Sequence, residues 1–181
     1  MIADKKRKIL EKNLSDDTLV ILEGKTEQIR NGDVHYPFRQ DSDFLLLTGL
    51  DIPDLCLVGY KEHGEMRWIL YSDPISEHEM IWGTSRLSYR ELHEKSGIDD
   101  IRGKSAYIGD IRALAERSRQ IYTRAYASRR GWSHSREKHI SLEPLLRELR
   151  MTKLPEEIDA IREAIRVTKL AHDHIRTSIE P

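Results

Sequence analysis

Apolar positions fall into short blocks over the first 71 residues and into helix-spaced stripes toward the C-terminus. Residues 18–22 are apolar and β-branched, stop at Glu23-Gly24, and predict a buried strand. Residues 44–47 and 55–60 predict two more. Between them Asp51-Ile52-Pro53-Asp54 cannot continue a helix, because Pro53 lacks the amide and fixes φ. Glu62-His63-Gly64-Glu65 marks a turn, so residues 66–71 read as the hairpin partner of 55–60. Asn31-Gly32-Asp33 marks another turn, and residues 3–13, with Ile9 and Leu10 as the apolar side of a Lys- and Glu-rich run, predict an opening helix.

After residue 74 the pattern alternates. Residues 75–81 and 88–95 predict short helices around a Trp82-Gly83-Thr84-Ser85-Arg86 loop. Residues 106–108 and 120–123 predict short strands flanking a helix at 110–118. Leu142, Leu145, Leu146 and Leu149 give residues 141–151 helical spacing. Pro155 then suits a first helical position, with Glu156 and Glu157 favoured by the helix dipole. From there Ile158, Ile161, Ile165, Thr168, Ala171 and Ile175 form one stripe on a helix of about 23 residues, roughly 35 Å long. Together these elements predict an α/β fold, a mixed β-sheet flanked by helices and followed by a long C-terminal helix. That helix has no following element to cover its stripe, which is the expectation for the start of a second domain. The boundary is placed so that 1–152 form one domain and 153–181 a linker and the first helix of the next.

Composition narrows the function classes. With 30 basic against 31 acidic residues the net charge is −1, so no long-range field draws the chain to nucleic acid or to an anionic membrane. The single cysteine, Cys56, lies in the apolar run Leu55-Cys56-Leu57-Val58 and reads as a small core residue; one cysteine allows no internal disulfide and suits a reducing compartment. The basic start, Lys5-Lys6-Arg7-Lys8, is not followed by an uncharged apolar segment, and no run nears the ~20 apolar residues of a membrane span. A soluble cytoplasmic protein is expected.

The densest polar cluster is Tyr36-Pro37-Phe38-Arg39-Gln40-Asp41-Ser42-Asp43, which runs straight into Phe44-Leu45-Leu46-Leu47-Thr48-Gly49. This block, with Pro53, resembles the N-terminal domain of the aminopeptidase P (Xaa-Pro aminopeptidase) family, which shares its architecture with creatinase and prolidase. Ile81-Trp82-Gly83 with Arg86 and Leu87 is similar to a second family block. A third comprises residues 145–151, Lys153, Pro155-Glu156-Glu157-Ile158 and Ile161-Arg162-Glu163-Ala164. The resemblance implies an α/β N-terminal domain ahead of a pita-bread catalytic domain. That domain holds two divalent metal ions, commonly manganese, through two Asp, one His and two Glu. No matched position here corresponds to such a ligand. The resemblance therefore implies that this chain carries no catalytic and no metal-binding residues, needs no cofactor of its own, and is inactive alone. Its partners would be its own catalytic domain, further copies in a homo-oligomer and, in the whole enzyme, a proline-containing peptide. A stand-alone self-association module, and the N-terminal domain of a prolidase- or creatinase-like enzyme, are the alternatives.

Asp41 and Asp43, two apart, would share one face of a strand and could be read as paired carboxylates. The preferred reading is that Arg39, Gln40, Asp41 and Ser42 tie down the entry to a core strand. Adjacent helical residues point about 100° apart, so His172 and His174, two positions apart, do not share a face and do not have ligand spacing. Trp82 has two readings. It closes the edge of the core, or, as the family implies, its flat ring lines a substrate entrance, including that of a neighbouring subunit, where it would stack on proline. Residues 117–136 are basic with Tyr122, Tyr126 and Trp132 interleaved. A solvated or interdomain surface is preferred there over single-stranded nucleic acid binding, with Arg129 or Arg130 able to shape an entrance.

Overall fold

The computed structural model describes residues 1–32, 34–76, 81, 86–124 and 138–179. A six-stranded mixed sheet forms its centre: β1 (Thr18–Glu23), β4 (Cys56–Glu62), β5 (Glu65–Tyr71), β6 (Asp100–Arg102), β7 (Gln120–Thr123) and β8 (His139–Ser141), in the order β6-β5-β4-β1-β7-β8. A small hairpin, β2 (Ile29–Asn31) with β3 (Val34–His35), stands apart. The helices are α1 (Ile2–Glu11), α2 (Ser42–Thr48), α3 (Tyr89–Ser96), α4 (Tyr107–Arg117), α5 (Glu143–Met151) and α6 (Pro155–Ser178).

Strand β1 is apolar on both faces because both faces are covered. Val20 and Leu22 join a core with Leu10, Phe44, Leu47, Leu57, Leu70, Leu92 and Leu146, which brings α1, α2, α3 and α5 to one side. Leu19 and Ile21 join Val58, Tyr71, Ile111 and Ala115, which places α4 on the other. The two-residue period of the strand thus distributes one continuous apolar run between two cores. The β4–β5 hairpin turns through His63 and Gly64, at φ 52° and 80°, the left-handed pair that a two-residue hairpin loop requires. Opposite each other in that hairpin, Gly59 and Trp68 are matched. A Cβ on Gly59 would lie 2.6 Å from Cζ3 of the Trp68 ring, so only glycine lets the indole lie across the strand.

Two buried cations on α1 organise the helices around it. Arg7 donates to Leu47 O at 2.6 Å and to Ser96 O at 2.9 Å. One guanidinium thereby satisfies terminal carbonyls of α2 and α3, each of which closes on a left-handed glycine, Gly49 and Gly97. Lys6 donates to Leu149 O at 2.8 Å and Thr152 O at 2.9 Å, and its ammonium is 2.7 Å from Glu157.

Several expectations change. Residues 44–47 form helix α2, not a strand: Asp41 caps it, and Gly49 ends it at φ 73°. Residues 106–108 are not a strand either. They complete a 3-10 turn at Lys104–Ala106 and open α4. The strand lies just earlier, in β6, and pairs parallel with β5. Strand β8, parallel to β7, was not expected from sequence. Of the helix expected at 75–81, residues 77–80 lie outside the described residues, 75 and 76 carry no regular structure, and Ile81 is helical. The long helix is present over 24 residues with none of them buried. Its Ile158, Ile161, Ile165 and Ile175 are all exposed. Among the described residues no helix is long and apolar enough to cross a membrane.

Candidate functional site

Strand directions bring the unusual polar residues to one edge. β4 runs antiparallel to both β1 and β5, while β5 pairs parallel with β6, and β1 with β7 and β7 with β8. Five of the six strands therefore share a direction, and their last residues, Glu23, Tyr71, Arg102, Thr123 and Ser141, lie along one edge. In open α/β sheets the carboxyl edge is where strand ends and helix N-termini leave room for ligands.

The 36–49 block lies on this edge as a clamp. Gln40, 2 % exposed, is its hub. Its Oε1 accepts from the amides of Lys25 at 2.7 Å and Asp41 at 2.8 Å, its Nε2 donates to Ile52 O at 2.7 Å, and its own amide donates to Asp51 Oδ1 at 2.7 Å. Gly24 lets this hub approach, since a Cβ there would be 2.8 Å from the Gln40 amide nitrogen. Asp41 then accepts from the amides of Asp43 at 2.9 Å and Phe44 at 3.4 Å, the cap of α2.

Two arginines far away in sequence complete the clamp. Arg124, just beyond β7, is 2.5 Å from Asp41 and 3.7 Å from Asp43, and its Nε is 3.8 Å from Glu143. Arg150, on α5, is 2.7 Å from Asp43 Oδ1. That approach is an ion pair rather than an aligned hydrogen bond. The two carboxylates are driven apart. Burial pushes Asp41 up, but Arg124 and the helix amides outweigh it and hold the group below the usual carboxylate range. For Asp43, burial prevails over Arg150 and Arg124 and leaves the group above that range. Split pairs of this kind serve as acid and base in some active sites. Here Asp43 is 1 % exposed and faces two guanidinium groups, while Asp41 is engaged by Arg124 and two helix amides, the arrangement of a structural clamp. The preferred sequence reading of a tie-down is right in kind, with the correction that Gln40 and Asp41 do the work at a helix entry; Arg39 is exposed. Nothing in the local sequence marks Arg124 or Arg150, whose partners are set by tertiary structure.

A second cluster lies further along the edge. Arg102 grips Asp100 through Nε at 2.8 Å and Nη2 at 2.6 Å, and reaches Asp110 at 2.8 Å. Tyr71 Oη donates to the same Asp110 oxygen at 2.8 Å. Burial, reinforced by Asp110, pushes the Tyr71 phenol well above its ordinary value, so it stays a donor. Nearby, Tyr107 Oη donates to Glu23 at 3.1 Å beside buried Cys56, as expected for that thiol's place in the core. Glu23, Asp54, Cys56, Lys104 and Tyr107 line a cavity of about 140 Å³.

A shallow hollow of about 220 Å³ is lined by Pro74, Ile75, Leu87, Ser88 and Tyr89, the residues that flank 77–85 in sequence. Tyr89 Oη anchors this region by donating to Ser72 O at 3.0 Å, beyond the end of β5. Trp82 itself, and with it Arg129, Arg130 and most of the basic 117–136 segment, lie outside the described residues. His172 and His174 are exposed on α6. Among the described residues, no three His, Cys, Asp or Glu side chains converge so as to hold a metal ion.

A family model described as the aminopeptidase P N-terminal domain matches residues 3–122. The chain is 26 % identical to the Xaa-Pro aminopeptidase of Escherichia coli over 98 % of its own length and 44 % of the relative's. It is 24 % identical to that of Haemophilus influenzae over 88 % of its length and 38 % of the relative's. Among solved structures, aminopeptidase P from Escherichia coli superposes with a TM-score of 0.83 at 26 % identity, over 94 % of this chain and 43 % of that one. Proline aminopeptidase P II from Yersinia pestis superposes with a TM-score of 0.85 at 24 % identity, over 99 % and 45 %. The chain thus spans less than half the length of these relatives.

Proposed function

The chain belongs to the aminopeptidase P N-terminal domain family, and from that membership we propose that it serves as the non-catalytic N-terminal part of a Xaa-Pro aminopeptidase-like metallopeptidase. The whole enzyme would release the N-terminal residue that precedes proline. The observation that carries this reading is the extent of the likeness: it covers 98 % of this chain but 44 % of the Escherichia coli relative. In this reading residues 1–152 are the N-terminal domain and 153–181 begin the catalytic one. The two divalent metal ions, manganese in this proposal, would be held outside this chain. None of its described residues is assigned a step of the hydrolysis. A cytoplasmic location fits the single buried cysteine.

The domain's contribution would be to wall the substrate entrance and to contact further copies. The carboxyl edge supports this. Its clamp fixes the chain at Arg124, where the segment bearing Arg129 and Arg130 begins, and the Pro74–Tyr89 hollow flanks the segment bearing Trp82. An aromatic wall would stack on the pyrrolidine of the substrate at small entropic cost. The test is kinetic, in the protein joined to its metal-binding remainder. Trp82→Ala is expected to raise KM for a proline-containing peptide about tenfold with metal content unchanged. An unchanged KM would remove Trp82 from the entrance.

A second reading, a self-associating module, is favoured by the exposed isoleucine stripe of α6. Sedimentation of the 181-residue chain separates the two: a monomer at high concentration excludes self-association through that stripe.

A further inference from the structure

Helix α6 has no buried residue, yet its first turn is fastened at a buried point. The Lys6 ammonium, 1 % exposed and projecting from α1, meets Leu149 O in the last turn of α5, Thr152 O in the connection, and the Glu157 carboxylate in the first turn of α6. Glu157 in turn accepts from the Leu154 amide at 2.7 Å, so one carboxylate both caps the helix and receives the lysine. Lys5 pairs with Glu156 beside it on the exposed side. The three donors of one ammonium are thus spent on α5, the connection and α6. A buried lysine is costly to desolvate, and its three acceptors offset that cost. What the lysine adds is direction: its acceptors fix how the 153–154 link bends and hence the line along which α6 leaves the sheet.

We propose that Lys6 is a positioning residue, a latch that sets the direction of α6 relative to the sheet domain and so the placement of whatever the helix carries. The significance for catalysis rests on the function proposed above. The latch itself does not, because it is a property of these 181 residues.

The experiment measures the helix direction. Spin labels at Glu94→Cys on α3 and Thr168→Cys on α6, in a Cys56→Ala background, report the distance between sheet domain and helix. The unmutated latch is expected to give one narrow distribution. Lys6→Met and Glu157→Gln are each expected to broaden it at least twofold, while Lys5→Ala, which removes only the exposed neighbour, leaves it unchanged. Glu157→Gln preserves shape and lies at the helix, so it reads the latch even if Lys6→Met fails to fold. Its amides at 154–158 should exchange at least tenfold faster, with those of β1 unchanged. A distribution already broad with the latch intact overturns the proposal. So does one that stays narrow, with slow exchange at 154–158, in the Gln variant. Loss of peptidase activity in a longer protein bears on the proposed function alone, so the two can fail separately.

Discussion

Arg124 and Asp41 lie 2.5 Å apart although 83 residues separate them, and the same Asp41 carboxylate caps α2. One side chain therefore holds a helix start and the end of a central strand together. Asp41→Ala removes both roles and is expected to cost about 1–2 kcal/mol, a fall in Tm of about 2–8 °C for a chain of this size. Asp41→Asn keeps a capping oxygen and should cost about 1 kcal/mol or less. A double-mutant cycle with Arg124→Ala in urea melts checks this, with a coupling of about 0.5–1 kcal/mol for a partly exposed pair.

The two aspartates should titrate in opposite directions from the ordinary value of about 3.9. Asp41 is depressed in the fold, so its stabilising contribution is complete above that value and is lost as pH falls through the lower folded value. Asp43 is raised, so its ionisation costs stability as pH climbs from the ordinary value through the higher folded one. Side-chain carboxyl chemical shifts followed by NMR should show Asp41 titrating first from the acid side and Asp43 last. Asp41→Asn should flatten the loss of stability that sets in as pH falls below the ordinary aspartate value.

Arg7 reaches carbonyls of two helices at once. Arg7→Met strands Leu47 O and Ser96 O in the core and is expected to cost about 2–4 kcal/mol. Arg7→Lys should recover less than half of that, because a single ammonium lacks the planar fork that spans both helix ends. Denaturant midpoints of the two variants give the comparison.

Gly59→Ala forces the Trp68 ring off the strand and is expected to cost about 1–3 kcal/mol. Trp68 Nε1 donates to Glu11 at 2.8 Å, so displacement of the ring should also break that bond to α1. Exchange of the Trp68 indole N–H, followed by NMR, reports it directly.

These sites show what was legible in the chain. The β4–β5 hairpin and the long α6 were readable because each obeys one local rule: turn residues between strand-spaced runs, and a Pro start followed by a 3.6-period stripe. Phe44–Leu47 misled because four consecutive large apolar residues look like a buried strand. The correct signals were adjacent, in the capping Asp41 and the terminal Gly49. Strands β6 and β8 were missed because each has three residues, part polar, and is defined by the neighbour it pairs with. Asp41 and Asp43 could be singled out from sequence. Arg124 and Arg150 could not, since only the parallel β1–β7 pairing and the packing of α5 bring them there.

In the function proposed above, this chain would contribute structure to a Xaa-Pro aminopeptidase and none of its chemistry. The direct measurement is release of the N-terminal residue from an Arg-Pro-Pro peptide with manganese present. We expect no turnover by the purified 181-residue chain, and turnover when it is joined to the metal-binding remainder. Metal-dependent, chelator-sensitive turnover by the chain alone would contradict a non-catalytic role.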